Sequence, residues 1–262
     1  MSDTNCLFRP DWALPADVHA FVTTRFGGHS LGPWSSFNLA QHAGDVPSAV
    51  TANCHLLLDR LHKETGVAVP AIQWVQQVHG TRVFHAGATV LIPTPEADAL
   101  YASDSPLALA VLTADCLPVL FSSVDGRELA VAHAGWRGLL AGVLEATLGS
   151  FHAHLSTVRV WLGPAIGPCH FEVGSEVRAV FLARAGAAER AATDAAFVST
   201  ATPGKWLADL YQLARIRLRA CGIEQISGAP VCTVCQHERF YSYRKQRITG
   251  RFATLIVKTS GC

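Results

Sequence analysis

Apolar positions along this chain follow two rhythms. Short apolar runs bounded by glycine, proline or aspartate predict strands, and longer stretches with one apolar face predict helices. Val18 to Thr24 reads as a strand ending at Arg25-Phe26-Gly27-Gly28, and Ile72 to Val78 as another ending at His79-Gly80. Leu107 to Thr113 is almost continuously apolar, as a strand buried on both faces would be. Leu117 to Phe121 resumes after Ala114-Asp115-Cys116. Asp125-Gly126 is a hairpin signal, and Glu128 to His133 returns toward Ala134-Gly135-Trp136-Arg137-Gly138. Val158 to Leu162 and Phe252 to Thr259 complete the strand-like set.

Helical spacing covers Ser48 to Thr65, with Leu57, Leu58 and Leu61 and a stop at Gly66. It recurs from Leu139 to Leu155, with Leu140, Val143, Leu144, Thr147 and Leu148 on one face. Ser175 to Arg184 and Trp206 to Cys221 read as helices, the latter stopped by Gly222. The alanine-rich stretch Ala183 to Ala196 reads as a helix end and a connection, not a long linker. Strands joined by both hairpins and helices predict an α+β chain with mixed sheets, not a doubly wound fold. With no repeat and no low-complexity run, residues 1–262 are expected to form one domain with a core at about 18–259.

Composition narrows the function classes. The 262 residues are 50% hydrophobic and 16% charged, which excludes a disordered chain. A net charge of +1 argues against a nucleic-acid partner. The longest apolar run, Leu107 to Leu112, is too short for a membrane span, so no membrane partner is expected. Asp3, Arg9, Pro10 and Asp11 interrupt the stretch where a secretory signal would need an apolar core. A cytoplasmic protein with free thiols is the expectation.

The candidate chemistry lies in 12 histidines and 8 cysteines. His79, Cys116 and His133 each follow a buried-looking strand beside a turn or helix start. Two imidazoles and one thiolate match the ligand count of a catalytic zinc site with an open fourth position. Their spacings are too long for a finger or ribbon, so two other readings stay open. Cys116 is then a core thiol with satisfied histidines, or a nucleophile activated by His133 or His79. Arg137 between Gly135 and Gly138 at a helix start suits an anion, as does Thr23-Thr24-Arg25-Phe26-Gly27-Gly28; a plain turn explains either equally well. The basic, aromatic string Tyr241-Ser242-Tyr243-Arg244-Lys245-Gln246-Arg247 suits a small-anion pocket or a solvated face. Cys232-x-x-Cys235 followed by His237 is half of a zinc ribbon without its second half, and reads as structural or incidental.

Taken in order, TTRFGG, SSFNLA, QVHG, EADAL, LTADCLPVLF, AVAHAGWRG, LGPAIGPCHFEVG, CTVC and YSYRKQRITGR resemble the YfiH-type family. That family is also called the laccase-domain or multicopper polyphenol oxidase family, and is described as purine nucleoside phosphorylases. The resemblance runs from about Thr23 to Arg251. It implies a layered α/β sandwich related to certain toxin deamidases. It implies zinc, or copper, on His79, Cys116 and His133, which would also be the catalytic set. It implies that purine nucleosides (adenosine, inosine, guanosine and methylthioadenosine) and phosphate are the partners, with free base and ribose 1-phosphate as products. Adenosine deamination is a further activity described for the family. Alternatives are copper-dependent oxidation of phenols, editing of a peptidoglycan precursor, and a non-catalytic metal-binding module. Cys235 and His29 depart from the family pattern without touching the ligand set.

Phosphorolysis needs cationic donors for phosphate, for which Arg25, Arg137, Arg244 and Arg251 are the candidates. Asn38 is a candidate for base or sugar. The His-x-Glu motif of other zinc deaminases is absent, which leaves Asp115 or Glu172 for a proton-transfer role. Conventional multicopper centres need several His-x-His pairs, and only His152-x-His154 fits, toward the end of an expected surface helix.

Overall fold

The structure is a computed structural model that describes residues 6–228 and 230–259. β1 (Leu7–Phe8) pairs antiparallel with β2 (Val18–Thr23). Helix α1 (Pro47–Thr65) starts on a proline, whose missing N–H is unused in a first turn, and stops at Gly66 with φ 75°. Val50, Asn53, Leu57 and Leu61 form its buried face at helical spacing. β3 (Ile72–Gln73), β4 (Val83–His85), β5 (Ala99–Ser103), β6 (Ala108–Thr113), β7 (Leu117–Ser123) and β8 (Glu128–Ala134) follow. β7 and β8 form the expected hairpin, turning at Gly126 with φ 68°. Next come α2 (Trp136–Ala141), α3 (Val143–Leu148), β9 (Val158–Leu162), β10 (Glu172–Gly174), α4 (Ser175–Arg184) and α5 (Arg190–Ala195). β11 (Phe197–Ser199), β12 (Lys205–Ala208), α6 (Leu210–Ala220), β13 (Gln225–Ser227) and β14 (Phe252–Lys258) complete the order.

Two large sheets stack face to face. One has the strand order β1-β2-β14-β6-β3 and the other β13-β9-β7-β8-β5-β4. Both are mixed: β3–β6, β4–β5 and β9–β13 are parallel, and the other neighbours are antiparallel. A small β10-β12-β11 sheet stands apart. Leu109 and Val111 of β6 meet Leu120 of β7 and Val131 of β8 between the sheets. The alternate residues Ala108 and Ala110 face Leu57 and Leu61 of α1. On the far side, Val119 and Phe121 of β7 pack under Leu144 of α3 and Leu213 of α6. The layers are therefore helix, sheet, sheet, helix, which explains why these strands are apolar at every position rather than at every second one. The expected α+β class with mixed sheets is what the structure shows.

Three expected elements differ. The helix expected from Leu139 to Leu155 is two short helices broken at Gly142, whose φ of 107° no helix tolerates, and it ends at Leu148. His152 and His154 therefore lie beyond the helix, not on its end. Trp206 to Cys221 begins as strand β12, and α6 starts only after Asp209, whose carboxylate caps the Gln212 N–H at 2.9 Å. The strand expected from Ile72 to Val78 pairs with β6 for two residues only, and Gln76 adds an isolated parallel bridge to Glu96. Beyond it the Gln77 side-chain amide, not the main chain, bonds Leu112 N and O, both at 2.8 Å. That substitution releases the backbone to turn at His79. Among the described residues, no helix is long and apolar enough to cross a membrane. Cys6, Cys54, Cys116, Cys169, Cys221, Cys232 and Cys235 are free thiols.

Candidate active site at a histidine–cysteine cluster

The chain passes from one large sheet to the other between β3 and β4, back between β5 and β6, across again between β6 and β7, and back once more before β14. At these crossings the backbone leaves its ladders, and the polar residues of interest cluster there. His79 lies in the β3–β4 crossing, Cys116 ends the β6–β7 crossing, and Arg251 immediately precedes β14. His133 is the penultimate residue of β8, in register with Pro118.

The ligand atoms of His79, Cys116 and His133 all lie within 4.8 Å of one another. Cys116 Sγ is 3.8 Å from His79 Nε2, and the two imidazole rings meet edge to face at 4.8 Å. A Cβ on Gly135 would stand 2.9 Å from His79 Cδ2 and 3.0 Å from Cys116 Sγ. A Cβ on Gly138 would stand 3.0 Å from Gly80 O. These two glycines therefore serve close approach of α2 beneath the cluster, not the tight turn their spacing suggests.

Asp98, fully buried at the start of β5, organises the cluster. Its carboxylate accepts the N–H groups of Val78, His79 and Gly80 at 3.2, 2.9 and 2.6 Å. It also takes His133 Nδ1 at 2.9 Å. The three N–H bonds hold His79 at φ 62°, a conformation uncommon for a side chain with a Cβ. The fourth occupies one ring nitrogen of His133 and turns the other toward Cys116. No role was read for Asp98 from the sequence. Its signal was a carboxylate between two alanines, in the string EADAL, just before a strand.

The electrostatics agree with this geometry. Burial disfavours the Cys116 thiolate, but the His133 and His79 rings outweigh it and lower its pKa to about 6. Burial likewise opposes a charged His133, yet Cys116 and Asp98 raise it to about 9. Burial works against the Asp98 carboxylate too, and the bonds from His133 and Gly80 still keep its pKa below the ordinary value. A thiolate and two imidazoles converging on one point, with a carboxylate behind one ring and a glycine clearing the space, fit a zinc or copper ion.

Two cavities share His79, Ala114, Cys116 and Tyr243 as a common wall. One, of about 350 Å³, adds Trp136, Arg137, Phe171, Arg244 and Arg247. The other, of about 440 Å³, adds His42, Thr113, His133 and Arg251. Arg137, Arg244 and Arg251 are thus brought to the cluster. Arg247 and Tyr243 join them from the same basic string, although neither was singled out from the sequence. Burial pulls the Arg251 pKa down, against the charges of Cys116 and Asp115 that hold it up. Arg244 Nη1 bonds the carbonyls of His170 and Glu172 at 3.1 and 3.2 Å, so Glu172 adjoins the cleft through its backbone.

Arg25 and Asn38 line neither cavity. Arg25 donates to Ser35 O and His237 O, both at 2.9 Å, and stacks on Tyr241. The fully buried Asn38 amide is spent on Ala40, Asp45 and Arg251 N. Both clasp the loop before α1. Asp115, at φ 96°, accepts Thr233 Oγ1 and Arg244 N, each at 2.6 Å, so both oxygens are engaged in positioning the basic string.

Comparison with known proteins places the chain in a family. A family model described as multi-copper polyphenol oxidoreductase laccase matches residues 19–259. A Pseudomonas aeruginosa protein named purine nucleoside phosphorylase is 46% identical over 252 residues, covering 96% of this chain and 98% of that protein. Purine nucleoside phosphorylase YfiH of Escherichia coli is 45% identical over 250 residues, covering 95% and 98%. The crystal structure of a Neisseria meningitidis protein, 39% identical, superposes with a TM-score of 0.87 over 98% of this chain and 100% of that one. YlmD from Geobacillus stearothermophilus, 28% identical, gives 0.84 over 99% and 98%. With the fold shared from end to end and the matched region enclosing the whole His79–Cys116–His133 cluster, this chain belongs to the laccase-type family of YfiH-like proteins.

Proposed function

We propose that this chain is a zinc-binding purine nucleoside phosphorylase with an accompanying adenosine deaminase activity, working in the cytoplasm. The observation that carries the reading is the convergence of the His79–Cys116–His133 cluster with four arginines on two adjoining cavities. The names of the relatives supply the substrate class. His79, Cys116 and His133 would hold the metal, and Asp98 would orient His133 on it. When bound, zinc supplies Lewis acidity and lowers the pKa of water toward neutrality, the chemistry that deamination requires.

In phosphorolysis a phosphate oxygen attacks the anomeric carbon, and the glycosidic bond breaks with its electron pair leaving on the base. Arg137, Arg244 and Arg247 present charge-assisted donors for the phosphate along one cavity wall. Arg251 adds charge from the other cavity. Trp136, Phe171 and Tyr243 offer faces for a purine ring. Asp115 keeps Arg244 in place by accepting its backbone N–H.

The test is a product assay with inosine, with and without phosphate. Hypoxanthine and ribose 1-phosphate are expected only when phosphate is present. Absence of both products, together with copper-dependent oxidation of phenols, would reverse the reading in favour of an oxidase. Folded His79→Ala or Cys116→Ala variants that keep full activity would remove the cluster from the mechanism.

A further inference from the structure

A second cluster of soft ligands lies outside the cleft. Cys169 and His170 sit in the loop between β9 and β10, and Cys232 and Cys235 sit in the segment between β13 and β14. All four ligand atoms lie within 4.8 Å of one another. Cys169 Sγ is 3.6 Å from Cys235 Sγ and 3.1 Å from His170 Nδ1. His170 Nδ1 is 3.7 Å from Cys232 Sγ and 3.5 Å from Cys235 Sγ.

Tetrahedral zinc bonds of the usual length separate two sulfurs by about 3.8 Å, and a sulfur from a nitrogen by about 3.5 Å. Four edges of the observed tetrahedron are therefore near the lengths a zinc ion would impose. The backbone is arranged for it too. Cys232 Sγ accepts the N–H of Gly167 at 3.2 Å and that of Cys235, the amide-to-thiolate bonding that a Cys-x-x-Cys turn offers a metal. A Cβ on Gly167 would stand 2.9 Å from Cys232 Cβ and 3.5 Å from Cys169 Sγ, so the loops meet this closely only because glycine is there. Ala165 and Cys232 form a parallel bridge, with Thr233 N donating to Ala165 O at 3.0 Å. His237, the ligand the sequence spacing offers, instead has its Nδ1 3.2 Å from the carbonyl of Val234.

We infer that Cys169, His170, Cys232 and Cys235 form a second, closed zinc site of the Cys₃His type that ties the two loops together. Three thiols surrender their protons to solvent as the ion binds, leaving the site with one net negative charge. A disulfide between Cys169 and Cys235 would use two of the groups and leave a thiol and an imidazole facing it. With all four positions filled by protein, the site has no room for substrate, so its role is structural. Its reach is nonetheless functional in placement: His170 O receives the Arg244 guanidinium at 3.1 Å. The inference stands independently of the reaction assigned to the cleft.

The experiment measures zinc per chain in protein expressed in zinc-supplemented medium and purified without chelator. Two equivalents are expected. A Cys116→Ala variant should keep one, and adding Cys235→Ser should bring the content near zero while circular dichroism still reports a folded chain. Cobalt substituted into the Cys116→Ala protein should give the intense visible bands and sulfur-to-metal charge transfer of a tetrahedral thiolate-rich site. Cys235→His, which preserves four ligands, should retain the metal and blue-shift those bands. A folded Cys116→Ala protein without zinc would overturn the inference. So would a Cys169–Cys235 disulfide found by mass spectrometry in freshly purified, metal-free protein.

Discussion

At the residue scale the candidate site depends on one carboxylate. Asp98 accepts three consecutive N–H groups and one imidazole, so it fixes the backbone of His79 and the ring of His133 together. His133 in turn sustains the thiolate of Cys116, whose pKa falls to about 6. Because that pKa is lowered, the thiolate is present above about 6 and is lost as pH falls through it. In metal-free protein, iodoacetamide should therefore modify Cys116 with a midpoint near 6, against roughly 8.5 for an ordinary thiol. Asp98→Asn should move the midpoint upward, because the carboxylate that favours a charged His133 is gone. An unchanged midpoint in the variant would show that Asp98 does not act through His133. The three residues of the cluster were legible because each is a polar residue beside an apolar strand. Asp98 was not, because its importance lies in what three neighbouring amides do around it. Arg25 and Asn38 sit in strings as suggestive as that of Arg137, and only the fold shows that their polar groups bind loop backbone.

At the element scale, segments governed by their own residues fold as their pattern predicts. Gly66, Asp125-Gly126 and the apolar run before Thr113 mark elements that the structure contains. Elsewhere tertiary contacts override the local pattern. Gly142 sits inside an amphipathic stretch and still breaks it, because the chain takes φ 107° there. Tyr211 shows how much one helix residue can hold outside its own element. It lies on α6, almost wholly buried, and its hydroxyl is 2.9 Å from Gly163 O and 3.1 Å from Val231 O. The same oxygen accepts Ala165 N at 2.9 Å and Val231 N at 3.2 Å. One hydroxyl thus joins the strand β9 exit to the segment carrying Cys232. Tyr211→Phe removes the hydroxyl without changing the ring and leaves buried amides with fewer partners. A loss of roughly 1–3 kcal/mol in unfolding free energy is expected, read as a lower urea midpoint at unchanged m-value. An unshifted midpoint would mean that solvent replaces the hydroxyl and that these segments are held by their other bonds.

At the scale of the whole molecule, a chain with a net charge of +1 gathers Arg137, Arg244, Arg247 and Arg251 around one place. Those residues come from the start of α2 and from the segment leading into β14, far apart in sequence, and line two adjoining cavities together. The result is a local positive field on a near-neutral protein, suited to a small anion and not to a polyanion. Arg247 isolates that effect, since its guanidinium stacks over Tyr243 at 5.0 Å and it lines the cleft without being part of the His79–Cys116–His133 cluster. Arg247→Ala should raise KM for phosphate about tenfold, with KM for inosine changed much less, as expected for one charge-assisted bond of roughly 1.5 kcal/mol. Added salt should narrow the difference between variant and parent, because exposed charges are screened over about 10 Å at 0.1 M ionic strength. Equal changes in both KM values would instead assign Arg247 to the nucleoside, through Tyr243, and would move the phosphate toward Arg251 on the other side of the shared wall.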